Sequence, residues 1–286
     1  MKTRIITAVV GLGVLALVMF TFNTPIFNLI ITAVTLIAIH EVYKCVGFGK
    51  KEILLYLALV PYTLIIMLSD TPSIRAALMP ASYVLLAFYA IYLVARNGSI
   101  SFTKASGLVM FSGIIIYCFY SLIYLKQLLP VATYSYDAIF FILLILCFAW
   151  GGDTCAYFAG RAFGKHKLCP KVSPKKTVEG AIGGVLGTMA LGMIATFAYS
   201  YAANRTAIFS RSNFGVSMYL IIALLGMIAA VLGIYGDLFA SVVKRQHGIK
   251  DYGTIFPGHG GILDRFDSVM FIAPFVTMAV TVAFYR

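Results

Sequence analysis

Apolar residues fall along this chain in nine long blocks, at about 5–22, 26–39, 53–69, 76–95, 107–125, 138–156, 178–200, 216–237 and 268–285. Most approach the ~20 residues that an α-helix needs to cross a hydrocarbon layer. None shows the alternation of a transmembrane strand, and hydrocarbon tolerates no unpaired backbone, so each block predicts a helix. The fold expected is all-α: a polytopic integral membrane protein of about nine transmembrane helices. The second block is short, and the sixth and eighth carry polar residues near one end. The first follows Met1-Lys2-Thr3-Arg4; it is too long for the core of a secretory signal and has no small-residue cleavage site after it, so it reads as a retained span. Connections in residues 1–136, about five spans, are short. The two longest polar stretches, about 157–177 and 238–267, both lie in residues 137–286, about four spans, which marks that half as the catalytic one.

Composition agrees with the pattern. The 286 residues are 61% hydrophobic and 11% charged, where a soluble domain would carry about a quarter charged residues. The net charge of +12 has its simplest reading in topology and in attraction to anionic membrane lipids, with no nucleic acid as partner. With the N-terminus inside, the inner connections hold seventeen of the Lys and Arg residues and the outer ones five. This positive-inside bias predicts a cytoplasmic N-terminus and a C-terminus outside. Five cysteines form no CxxC pair, which leaves no thiolate metal site. An odd number of blocks gives no support to a duplicated transporter.

Six of the ten carboxylates, Asp153, Glu179, Asp237, Asp251, Asp264 and Asp267, fall in the second half on the expected inner side. Asp153 and Asp237 stand near the inner ends of blocks six and eight. Asp264 and Asp267 open block nine at a spacing that one helix face would share. A carboxylate at the edge of hydrocarbon is a functional candidate by default, and hard oxygen donors without thiols are what Mg²⁺ selects. Lys244, Arg245 and Lys250 precede a glycine-rich turn, Pro257 to Gly261, where backbone N–H groups can meet phosphate oxygens. Cations, glycines and acids together describe a polyphosphate–metal site, and no GxxxxGK[ST] run is present. His259, between two glycines, is a candidate phosphate donor or proton carrier. In the other polar stretch, Ser173-Pro174, Lys175-Lys176 and Thr177 read as a capped entry into block seven. There Gly180, Gly183, Gly184 and Gly187 have the spacing of a helix-packing face.

The 27 residues SVVKRQHGIKDYGTIFPGHGGILDRFD, 241–267, resemble the signature of the phosphatidate cytidylyltransferases, the CDP-diacylglycerol synthases. Ser241, Lys244, Arg245, Lys250, Asp251, Gly253, Phe256, Pro257, His259, Gly260, Gly261, Asp264, Arg265 and Asp267 each fall in place. The upstream stretch is similar too: Asp153-Thr154, Ala156-Tyr157-Phe158, Gly160-Arg161, Phe163 to Leu168 and Ser173 to Thr177. Cys155 and Val178 depart from residues often found there. The specific resemblance covers about 150–268; the first five blocks match in hydropathy alone.

The resemblance implies that CTP and phosphatidate are converted to CDP-diacylglycerol and pyrophosphate, at the cytoplasmic face of the cell's inner membrane. It implies Mg²⁺, two ions, on Asp237, Asp264 and Asp267, with Lys250 also catalytic. Substrate binding would fall to Lys244, Arg245, His259, Gly260, Gly261, Arg265, Asp153, Ser173, Lys175 and Lys176. Membrane lipids are expected partners, and a homodimer is compatible with this reading. A CTP-dependent lipid-alcohol kinase is the nearest rival. A CDP-alcohol phosphotransferase would space its acids differently, and a proton-coupled transporter would place them at mid-membrane.

Overall fold

The computed structural model describes residues 2–206, 215–258 and 260–284. Helices account for most of them: α1 Lys2–Phe20, α2 Pro25–Cys45, α3 Ile53–Met67, α4 Pro72–Ala76, α5 Leu78–Ala95, α6 Phe102–Leu128 and α7 Val131–Tyr134 come first. Then follow α8 Asp137–Leu146, α9 Gly152–Phe163, α10 Val178–Arg205, α11 Val216–Gln246, α12 Leu263–Phe266 and α13 Val269–Phe284. Each of the nine apolar blocks is mainly helical where described. Among the described residues, six helical stretches are long and apolar enough to cross a membrane: Pro25–Cys45, Pro72–Ala95, Phe102–Leu128, Asp137–Phe163, Val178–Arg205 and Val216–Gln246. Val9–Phe20 and Val269–Ala283 are shorter apolar helices. The protein is an all-α, polytopic membrane protein. Its helices turn large apolar side chains outward, as Met79, Tyr83, Val84, Leu86 and Ile91 of α5 show, and such a surface suits lipid.

The chain divides into two compact units, Met1–Ile123 with Gln246–Arg265, and Tyr124–Arg245 with Phe266–Arg286. In the first, α2 runs to Cys45, six residues beyond the apolar block, and so includes His40 and Glu41. Its buried hydroxyls are satisfied within the helix: Thr32 donates to the Asn28 carbonyl and Thr35 to that of Ile31, both at 2.7 Å. Asn28 Nδ2 donates to the Met67 carbonyl at 3.0 Å and to Asp70 Oδ2 at 2.9 Å.

In the second unit a single π-helical turn, Cys147–Gly151, joins α8 to α9. Such a turn adds one residue to the helix and rotates the face that follows it. A short antiparallel pair, β1 Lys167–Cys169 and β2 Ser173–Thr177, then leads into α10. Hydropathy gave no sign of these strands. The expected cap is Thr177, whose Oγ1 accepts from the Gly180 N–H at 3.1 Å, while Ser173 and Lys175 lie on β2. The glycines of α10 do form a packing face, and it lies on α9. A Cβ at Gly180 would stand 2.8 Å from the Ala156 carbonyl oxygen and 3.1 Å from Gly160 Cα. Both are backbone atoms and have little room to yield. Replacing Gly180 by Ala is expected to cost about 1–3 kcal/mol, read as a lowered Tm in detergent; an unchanged Tm would contradict this packing.

Candidate active site

Four charged side chains of the second unit meet where β2, α9, α11 and the start of α13 come together. Asp153 lies in the first turn of α9, directly after the π turn. Asp237 lies on α11 and accepts from Ser241 Oγ, one turn on, at 3.2 Å. Asp267 occupies the turn between α12 and α13, where its Oδ1 accepts from the Ser268 N–H at 2.9 Å. Ser268 Oγ donates to Asp153 Oδ2 at 3.3 Å. Lys176, at the end of β2, places its Nζ 2.5 Å from Asp237 Oδ2. One approach depends on glycine: a Cβ at Gly236 would lie 2.5 Å from the Asp267 carbonyl oxygen.

The electrostatics follow from that crowding. Burial pushes the Asp267 carboxyl up, and the charges of Asp237 and Asp153 push it further, to about 7. The Ser268 N–H and Lys244 act in the other direction. Lys244 is itself buried on α11, two turns beyond Asp237. Arg245 is exposed at the end of the same helix.

Asp264 and Asp267 do not share a continuous helix face. α12 ends at Phe266, and a turn at Asp267-Ser268 precedes α13. Asp264 belongs to the first unit, where its Oδ2 accepts from the Tyr252 N–H at 2.7 Å and the Gly261 N–H at 3.0 Å. The glycine-rich turn around it is closed by a backbone pair, with Phe256 N–H to Gly260 O at 2.9 Å and Gly260 N–H to Phe256 O at 3.1 Å. Gly258 (φ 76°) and Gly260 (φ 87°) adopt left-handed backbone that other residues rarely take. The N–H groups of 260 to 263 all have acceptors within the protein. The turn therefore offers fixed backbone here, not the open phosphate donors its glycines suggested. Lys250 and Arg265 are exposed in this unit, and His259 lies outside the described residues.

Two of those N–H groups lead to a residue that the sequence pattern did not single out. Glu41, on α2, accepts from Ile262 N at 2.9 Å and from Leu263 N at 2.8 Å. The apolar block ends at about residue 39, two residues before Glu41. A carboxylate within the reach of an apolar helix was the signal that could have found it.

Comparison with known proteins gives this geometry its context. The Cytidylyltransferase family matches residues 2–283. The chain belongs to this family. It is 31% identical over 287 residues to the phosphatidate cytidylyltransferase of Bacillus subtilis, covering 96% of each chain. It is 39% identical over 140 residues to that of Haemophilus influenzae, and 40% identical over 132 residues to that of Thermotoga maritima. Those two matches cover 49% and 46% of this chain, and in them the chain spans 45% and 46% of the relative's length.

Cytidylyltransferases act on nucleotide phosphates, and the three-acid cluster has the donors that a hard divalent cation prefers. Among the described residues no three His, Cys, Asp or Glu side chains form a ready-made ligand group. The Lys176 ammonium on Asp237 supplies positive charge to the cluster instead. The donor set thus fits a metal chemically, with Lys176 as its competitor for Asp237.

The raised Asp267 carboxyl makes a stability prediction. Between about pH 4 and pH 7 the folded protein keeps a proton that the unfolded chain releases, so stability falls as pH rises through that window. With divalent ions chelated, Asp267→Asn is expected to raise Tm at about pH 8, and the gain should vanish near pH 4. A lower Tm for the variant at both values would contradict the crowding of acids.

Proposed function

We propose that this protein transfers the cytidylyl group of CTP to phosphatidate, giving CDP-diacylglycerol and pyrophosphate. The observation that carries the reading is the cluster of Asp153, Asp237 and Asp267 with Lys176 and Lys244 in a chain of the cytidylyltransferase family. The reaction joins two anions: a phosphate monoester oxygen of the lipid attacks the α-phosphorus of CTP, and pyrophosphate leaves. Each must be brought up against the other's charge. Lys176 and Lys244 reduce that repulsion in the cluster, and Lys175 and Arg245 add cations of the same unit for the triphosphate and the leaving group. Lys250 and Arg265, in the other unit, are candidate phosphate partners by their place in the family-like stretch. Ser173 and His259 are further candidate donors to phosphate oxygen. Asp264, with one oxygen held by two N–H groups, fixes the shape of the turn carrying Gly260 and Gly261.

Mg²⁺, bound as two ions by carboxylates of this set, would neutralise phosphate charge and orient the reacting groups. Asp153, Asp237 and Asp267 are the residues whose mutual repulsion favours holding it. Asp237 would then exchange the Lys176 ammonium for metal, which frees Lys176 for phosphate. Phosphatidate already carries an ionised phosphate, so no covalent nucleophile and little general-base help are required. The excess of Lys and Arg on one set of connections supports a cytoplasmic N-terminus and a site on the cytoplasmic face of the cell membrane, where water-borne CTP meets a lipid headgroup.

Transfer of label decides the reaction. With purified protein, phosphatidate and Mg²⁺, CTP labelled at the α-phosphorus is expected to label the lipid fraction, whereas γ-label should leave as pyrophosphate. Label in lipid from the γ position alone would make the protein a kinase and overturn the proposal. Lys176→Ala should lower kcat/KM by about tenfold to a hundredfold, the loss expected for one charged hydrogen-bonding partner. A variant as active as the parent would remove Lys176 from the site.

A further inference from the structure

We propose that Glu41 is a positioning residue for the nucleotide-binding turn, acting from a helix that carries none of the family-like motif. Its consequence for catalysis rests on the CTP reading above. The Glu41 side chain is buried at 4% exposure, and its two oxygens accept separately from Ile262 N and Leu263 N. More than 200 residues of chain separate these partners, so local sequence cannot have brought them together. The turn is cut to receive the carboxylate: a Cβ at Gly253 or at Gly261 would collide with it. Asp264 grips the same turn from within, through Tyr252 N and Gly261 N. Tyr252 is buried and sets its ring edge-on to Phe111 of α6, with centroids 6.1 Å apart. Four backbone N–H groups, at 252, 261, 262 and 263, are thus held by two carboxylates.

A merely structural tie between α2 and the turn would not need a charge. Burying a carboxylate is unfavourable, and well-packed apolar groups hold helices at least as firmly. What a bidentate carboxylate adds is one defined backbone conformation. The turn needs that, because Gly253, Gly258, Gly260 and Gly261 leave its backbone many alternatives. It is also the segment bearing Lys250, His259 and Arg265. A turn already ordered before CTP arrives loses less entropy when CTP binds. Glu41 therefore acts on nucleotide affinity more than on the lipid substrate.

The test uses the full chain in detergent, with Glu41→Gln and, independently, Gly253→Ala. Gln keeps the shape but sets an amide NH₂ against one of the two N–H donors. Gly253→Ala keeps the charge and presses a methyl group onto it. Hydrogen exchange over residues 250–266 is expected to accelerate in both variants. KM for CTP should rise about tenfold, with KM for phosphatidate within about twofold of the parent. Unchanged exchange would overturn the proposal, as would faster exchange with an unchanged CTP KM, or an equal rise in both KM values. If Glu41→Gln is not recovered folded, Gly253→Ala carries the same readings. Should the parent fail to convert CTP, the functional reading falls, while the exchange data still decide whether Glu41 holds the turn.

Discussion

The proposed chemistry depends on one electrostatic constraint: three carboxylates, Asp153 in the first turn of α9, Asp237 on α11 and Asp267 in the turn before α13, gathered beside apolar surface. Burial first, and then the charges of Asp237 and Asp153, hold the Asp267 carboxyl above the usual carboxylate range. Positive charge must balance them, and Lys176 on Asp237 with buried Lys244 behind supplies part of it. The same imbalance suits a site that gathers cations and polyphosphate. The surrounding architecture brings the acids close enough to interact: the π turn before Asp153, β2 carrying Lys176, and Gly236 against the Asp267 backbone.

The glycine-rich turn shows a second use of carboxylates. Glycines before a helix start commonly mark open phosphate donors, yet here Glu41 and Asp264 occupy the N–H groups themselves. Two internal anions accept the N–H groups of 252, 261, 262 and 263 as a bound phosphate does elsewhere. Lys250 and Arg265, the exposed cations of this segment, flank those held N–H groups in sequence. On the proposed function, recognition of phosphate would fall to side chains.

Hydropathy made the helices legible because apolar blocks of this length have few alternatives in lipid. The acids of the second unit were legible too, since charge is rare in such a chain and each acid stood near a block's end. Three features were hidden for physical reasons. The β1–β2 pair is polar and local, so it leaves no periodic trace. The break at Asp267-Ser268 falls where the i, i+3 spacing of Asp264 and Asp267 still reads as helix, and the two acids turn out to serve different units. Glu41 is joined to its partners only by tertiary packing, and no one-dimensional pattern links α2 to residue 262.

The central claim is that the three acids form one cation-binding group. Titration of the purified, nucleotide-free protein with Mn²⁺, followed by electron paramagnetic resonance, reads that group directly. The account predicts saturable binding that Asp153→Asn and Asp237→Asn each weaken by about tenfold or more. Binding unchanged in both variants would contradict it.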